Sequence, residues 1–246
     1  MTPFEREVEQ RISANAKNEK LRTKAESFLQ ASIKPKYSYN FFWLGRPIIQ
    51  YPQDIVAIQE IIWSVQPDLI IEAGIAHGGS LILSASILEL NAACGGFPDA
   101  EVIGIDVDIR THNRRAIEAH PMFKRITMIQ GSSIAPDTIK QVLAQAQGKN
   151  RIMVFLDSNH THKHVLTELN MYAPLTSVNS YCVVFDTIIE DMPAEKCSDR
   201  PWSPGNSPRT ALLEFLSTHP EFGVDKDIGN KLLISAAPDG FLKRLS

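Results

Sequence analysis

The stretch Asp68-Leu69-Ile70-Ile71-Glu72-Ala73-Gly74-Ile75-Ala76-His77-Gly78-Gly79-Ser80 carries the architecture of the chain. A run of apolar, β-favouring residues closes on an acid and a glycine. Two more glycines and a serine then lead into Leu81 to Leu90, which reads as a buried helix. Strand, glycine-rich turn and crossover helix, in that order, form the first unit of an open α/β sheet. The glycines let backbone approach a ligand beside the helix N-terminus. A dinucleotide fingerprint, Gly-x-Gly-x-x-Gly, needs glycine two positions after Gly74, where Ala76 stands.

A second acid-ended strand lies further on. Glu101-Val102-Ile103-Gly104-Ile105-Asp106 is a short apolar run closing on Asp106, the position that accepts ribose hydroxyls in doubly wound sheets. The blander reading has Asp106 capping a helix that starts near Ile109. An acid-x-Gly turn suits S-adenosylmethionine, which has no pyrophosphate to cradle. The rest of the chain alternates, with strands expected at 68–73, 101–106, 126–130, 151–157 and 180–186. Helices are expected at 79–90, 110–119, 136–147, 160–171 and 207–218, with Pro136 and Pro208 in first turns that tolerate proline. At the C-terminus, 231–236 and 241–245 read as two strands joined by the turn Pro238-Asp239-Gly240. These elements predict a mostly parallel seven-stranded sheet closed by an antiparallel hairpin. Before it, Phe4, Val8, Ile12, Leu21, Ala25, Phe28 and Leu29 recur at helical spacing. Residues 1–40 therefore read as a helical extension and 41–246 as the catalytic domain. Tyr37 to Gln50 is aromatic without helical period, a loop or short strand, and Pro52 opens a helix on Ile55, Ile58, Ile62 and Val65.

Composition narrows the function. The 246 residues are 43% hydrophobic, ordinary for one α/β domain. A net charge of −3 with no basic stripe argues against nucleic acid as the main partner. Cys94, Cys182 and Cys197 lack the spacing of a zinc site or a disulfide framework. The charged N-terminus is not a signal peptide and no apolar run is long enough to span a bilayer, so the expected location is cytoplasmic.

Two strands end in aspartate, Met153-Val154-Phe155-Leu156-Asp157 and Val183-Val184-Phe185-Asp186. Carboxyl ends of strands form the ligand crevice in such sheets, and two carboxylates there repel unless a cation lies between them. Mg²⁺, which favours carboxylate and water oxygens, is the natural partner; separate loop-capping roles are the alternative. His160, three residues after Asp157, is placed to begin a helix beside the crevice and take a proton from an acceptor hydroxyl. His162 shares the sheet-facing side with Val165, Leu166, Leu169 and Tyr172. A zinc pair of His160 and His164, at i and i+4, lacks a third ligand in register. The unpatterned stretch 190–207, rich in Pro, Asp and Ser, reads as a lid.

These segments resemble a family. Phe42-Trp43-Leu44-Gly45-Arg46-Pro47 with Gln50, Pro52 and Asp54, Glu72-Ala73-Gly74 with Gly78-Gly79-Ser80, and Asp157-Ser158-Asn159-His160 with His164-Val165 carry the likeness. Tyr172-Ala173-Pro174-Leu175, Pro201-Trp202, Pro204-Gly205-Asn206 and Pro208 complete it. Together, over about residues 40 to 246, they resemble the cephalosporin hydroxylase/rhamnosyl O-methyltransferase family. The resemblance implies a Rossmann-like class I methyltransferase fold, S-adenosylmethionine as donor, Mg²⁺ in some members, and a homo-oligomer. It departs at Phe185, where members often carry glutamate, and at Thr187, where related catechol-type enzymes place a metal-binding asparagine. The expected reaction is methyl transfer to a hydroxyl of a sugar or small natural product. Gly74 and Ser80 are expected beside the methionine portion of the donor, Asp106 at the ribose, and Ser132 and Ser133 by the adenine, with Gln50, Glu72, His77 and Asp157 also expected to bind the cofactor. His160 is the expected base, and Asp157, Asp186 and Thr187 the expected metal site. A nicotinamide-dependent oxidoreductase and a non-catalytic cofactor-binding member are the alternatives.

Overall fold

Runs such as Leu69-Ile70-Ile71 and Ile152-Met153-Val154 are apolar at every position, the signature of strands covered on both faces. The structure, a computed structural model, describes residues 1–246 and contains five parallel strands, of which Leu69–Ala73, Ile152–Leu156 and Tyr181–Val184 are buried throughout. In chain order the elements are α1 (Pro3–Ala16), α2 (Glu19–Ile33), β1 (Phe41–Trp43), β2 (Arg46–Ile48), α3 (Pro52–Val65), β3 (Leu69–Ala73) and α4 (Gly79–Ala93). Next come β4 (Glu101–Asp106), α5 (Thr111–Glu118), β5 (Ile126–Gln130), α6 (Pro136–Ala146), β6 (Ile152–Leu156), α7 (His162–Tyr172) and β7 (Tyr181–Val184). The chain ends with α8 (Pro208–Thr218), β8 (Phe222–Val224), α9 (Lys226–Leu232) and β9 (Phe241–Arg244).

The main sheet runs β5-β4-β3-β6-β7-β9-β8, with β9 antiparallel to both neighbours. Strand order reverses between β3 and β6, and a ligand crevice opens at such a switch point. Register aligns the carboxyl ends: Ala73 pairs with Ile105 on one side and Leu156 on the other, and Leu156 pairs with Val184. Glu72, Asp106, Asp157 and Asp186 thereby reach one edge. Alternate side chains feed two apolar layers. Ile70, Met153 and Val183 pack with Leu81 and Ile62 on one face, while Ile71, Val154 and Cys182 pack with Leu169 and Phe215 on the other.

The N-terminal helices form as expected. Thr2 and Glu5 make a capping box for α1, and the Asn18 side chain caps α2. Helix α1 buries no residue, whereas α2 buries Ala25, Leu29 and Ser32. The aromatic stretch forms the two-stranded β1–β2 hairpin, separate from the main sheet. No helix is long and apolar enough to cross a membrane.

One element departs from the sequence reading. The hairpin partner of β9 is β8, at 222–224, and not the expected strand at 231–236. Asp225 accepts from the Asp227 amide and starts α9 through the first of those residues. Leu233, at φ +62, then ends the helix. The turn itself forms, with the Gly240 amide donating to the Ala237 carbonyl, but it joins a loop and not a strand to β9.

Candidate active site

Asp157 follows β6, and its amide donates to the Ala73 carbonyl at 2.8 Å, extending the β3–β6 pairing by one residue. That brings its backbone against Gly74. A Cβ on Gly74 would lie 2.1 Å from the Asp157 carbonyl oxygen, and φ is +102. The glycine is thus demanded by a strand-to-strand contact, where the sequence suggested room for a ligand. After β7, Phe185 is buried and packs edge-on against Phe155, and Asp186 turns back at φ +54. A left-handed aspartate is uncommon, and such strain concentrates at functional sites.

His160 precedes α7 instead of opening it. Asn159 Oδ1 accepts from the Thr161 amide and hydroxyl, so Thr161 takes the N-cap position and the helix starts at His162. His160 stays at the crevice, with Nε2 3.2 Å from Asp186 Oδ2. One ligand atom each from Asp157, His160 and Asp186 lies within 4.8 Å of the others. The Trp202 ring, from the stretch expected to be a lid, stands edge-on to His160 with centroids 4.7 Å apart. Burial first, and then the like charge of Asp186, hold the Asp157 carboxyl well above the usual carboxylate range. Two carboxylate oxygens at this spacing fit a hard divalent cation such as Mg²⁺, whereas an imidazole nitrogen is not a ligand that cation prefers.

On the other side of Asp157, a narrow cleft of about 40 Å³ is lined by Gln50, Gly74, His77, Ser80 and Asp157. A second, of about 10 Å³, adds Glu72 and Ser84. Gln50 Oε1 and Glu72 Oε1 are buried there without a hydrogen-bond partner. Burial pushes the Glu72 carboxyl up to about 7, against hydrogen bonds from Ser80 and Ser84 that lower it. Unpartnered acceptors around one cleft fit a ligand that brings N–H donors, such as the ammonium group of an amino acid. Helix α4 begins hard against the β1–β2 hairpin, and a Cβ on Gly79 would lie 2.2 Å from the Pro47 carbonyl. Arg46 clamps the glycine turn by donating to the His77 carbonyl, and Asn113 donates to that of Ala76.

Asp106 does not cap α5, whose N-cap position is Arg110. Its Oδ2 accepts from the Ile75 and Ala76 amides at 2.9 and 3.2 Å, so the carboxylate braces the glycine turn that a ribose would border. Ser133 is buried, its hydroxyl 3.0 Å from His164 Nε2, while the Ser132 carbonyl accepts from Ala135. His164 also reaches Glu168, so it does not pair with His160 as a zinc site. His162 faces α8, through Thr210 and Glu214, and not the sheet as expected. The Thr187 hydroxyl is buried and donates to the Pro238 carbonyl at 2.6 Å, and His160 gathers with the two aspartates.

Sequence reasoning assigned no role to several residues that shape this site. Glu190 accepts from the Gly205 amide and the Ser207 hydroxyl, and Asn206 Oδ1 accepts from the His162 amide. These bonds pin the 190–207 stretch over the crevice and aim Trp202 at His160. Asp54 is fully buried, accepts from the Ala236 amide, and burial pushes its carboxyl up to about 7. Its signals are its place in the motif shared with the family and its charge on a mostly apolar helix. A cavity of about 610 Å³ lies elsewhere, between α2, α9 and the start of α8.

Comparison with known proteins follows this geometry. Residues 35–245 match the family described as Rhamnosyl O-methyltransferase/CmcI. A rhamnosyl O-methyltransferase of Mycobacterium bovis is 29% identical over 196 residues, 78% of this chain and 73% of that one. The solved structure of CmcI with Mg and SAM superposes with TM-score 0.57 at 19% identity, covering 85% of this chain and 78% of the other. An O-methyltransferase from Bacillus cereus in complex with SAH gives 0.53 at 14% identity, covering 82% and 81%. At such identities the two structures speak to the fold.

Proposed function

The chain belongs to the rhamnosyl O-methyltransferase/CmcI family and is an S-adenosylmethionine-dependent O-methyltransferase, and we propose that it methylates a hydroxyl of a sugar. A rhamnosyl group is the first acceptor to test, because the M. bovis relative is named for one. The observation that carries the reading is the convergence of Asp157, His160 and Asp186 within 4.8 Å at the carboxyl edge of the sheet. The unpartnered acceptors of Gln50 and Glu72 lie just across Asp157.

In this reading Gln50, Glu72, His77, Ser80 and Asp157 hold the methionine end of the donor, Asp106 the ribose, and Ser132 and Ser133 the adenine. The bound donor supplies an electrophilic methyl group. Asp157 and Asp186 would hold Mg²⁺, which would lower the pKa of the acceptor hydroxyl. His160 takes the acceptor proton at Nδ1, while Asp186, 3.2 Å from Nε2, orients the ring and stabilises the imidazolium that results. Trp202 closes over the histidine and keeps water from the reacting oxygen. Alignment of acceptor and donor supplies much of the rate. We place the enzyme in the cytoplasm as a homo-oligomer. Three free cysteines and no disulfide suit a reducing compartment.

The test is a turnover assay with labelled donor and a panel of sugars, run with and without chelator. We expect turnover of a rhamnoside, loss in excess chelator, recovery with Mg²⁺, and donor binding unchanged by chelation. Calorimetry showing NAD bound in preference to S-adenosylmethionine would overturn the reading of the cofactor site. Full turnover in chelator would remove the metal and leave His160 to act alone.

A further inference from the structure

A further cavity lies outside the group just described. It is about 610 Å³ and is walled by α2, the first turn of α8, helix α9, the 235–239 loop and the 3-10 turn Thr187–Asp191. That volume falls within the roughly 300–1,000 Å³ of small-molecule sites. Of the polar side chains on its wall, Arg22, Glu26, Gln30 and Lys226 are exposed and Asn230 is half-buried, so all five can reach a bound molecule. Arg209 is different: Asp191 and Asp239 fix its guanidinium at 2.6 and 3.4 Å. Leu29, Ile188, Met192 and Leu233 add an apolar surface. Cations, an anion and amides on one wall, with an aliphatic surface beside them, match a pyranose. Its hydroxyls both donate and accept, while its ring C–H face is apolar.

Position ties the cavity to the reacting group. The turn Thr187–Asp191 starts at the residue after Asp186, and Asp191 and Met192 at its far end are cavity wall. Ile188, two residues after Asp186, is also wall, so at a 3-10 rise of about 2 Å per residue the wall begins about 4 Å along the turn from Asp186 and reaches about 10 Å at Asp191, within the length of a disaccharide. The pinned 190–207 stretch spans both places. Trp202 lies on His160, and Lys196 donates to the Gln30 carbonyl on the cavity rim at 3.0 Å.

We propose that this cavity is a distal acceptor subsite, which holds the sugar next to the one being methylated. The inference rests on the sugar-methylating reading above, and the acceptor is then an oligosaccharide or a glycosylated conjugate. Gly229 offers a direct test. It lies on the cavity wall, and a Cβ there meets nothing within 4 Å, so Gly229→Phe can fill the space without a backbone clash.

The experiment compares methyl α-rhamnoside with a rhamnose disaccharide as acceptors for the whole protein. In the parent we expect a lower KM for the disaccharide. In Gly229→Phe the disaccharide KM should rise at least tenfold, while the KM for the monosaccharide and for S-adenosylmethionine stays within twofold. Gln30→Ala, which removes one polar partner, should raise the disaccharide KM several-fold. Equal effects on both sugars, or none on either, would overturn the subsite while leaving sugar methylation intact. If neither sugar is methylated, the functional reading fails, and saturation-transfer NMR with the disaccharide judges the cavity alone. Binding seen in the parent and lost in Gly229→Phe upholds it; binding absent from the parent, or retained in the variant, overturns it.

Discussion

His160 is held by two contacts that do different things. Asp186 lies 3.2 Å from Nε2, while Trp202 covers the ring edge. If the imidazole takes the acceptor proton, His160→Ala should lower kcat by roughly 10²–10⁴-fold, with the dissociation constant for S-adenosylmethionine unchanged by calorimetry. Thr187→Val is the matched control. Its hydroxyl is spent on the Pro238 carbonyl, so the variant should lose about 1 kcal/mol of stability but keep its Mg²⁺ requirement. A changed Mg²⁺ dependence in Thr187→Val would return that residue to the metal site.

The β1–β2 hairpin and the start of α4 meet with no room to spare. A methyl group on Gly79 would lie 2.2 Å from the Pro47 carbonyl and 2.7 Å from Ile48, and backbone cannot yield as a flexible side chain does. Gly79→Ala should therefore push the hairpin away from the cleft holding Gln50 and Ser80. We expect a loss of roughly 1–3 kcal/mol in denaturant unfolding, together with at least tenfold weaker donor binding. Gly45, whose added Cβ meets nothing within 4 Å, lies in the same hairpin at φ +85. Gly45→Ala should thus cost stability through its backbone alone, roughly 1 kcal/mol, without the loss of binding. Equal binding losses in both would mean that the hairpin's own integrity matters, and not its contact with α4.

Across the whole molecule, two buried carboxyls bias stability against alkaline pH. Burial raises Asp54 from 3.8 and Glu72 from 4.5, each to about 7. Between those values the folded chain binds more protons than the unfolded one. The contribution is therefore complete below about pH 4 and is lost as pH rises through 7. For Glu72 the loss is on the order of 2–3 kcal/mol. Glu72→Gln keeps the shape and never ionises, so its Tm should gain on the parent as pH rises from 4.5 to 7.5 and then hold level. A Tm difference that stays constant with pH would mean that Glu72 does not titrate with folding.

By itself the sequence determined the alternating parallel sheet, the acid-ended strands and the identity of the family, because these rest on local period and short-range spacing. Apolar runs ending in Glu72, Asp106, Asp157 and Asp186 are visible without any fold, and register then carries them to one edge. Only the tertiary structure decided the rest. It chose β8 over 231–236 as the partner of β9, since Asp225 caps a helix through residues that read equally well as a strand. It brought His160 beside the two aspartates, and it turned the Thr187 hydroxyl to a carbonyl 51 positions away. The glycines beside the crevice answered to chain packing, since what presses on Gly74 and Gly79 is backbone from Asp157 and Pro47. The cavity under α2 was invisible for the same reason. Its wall draws on residues from Arg22 to Asp239, and no local pattern records what distant segments enclose.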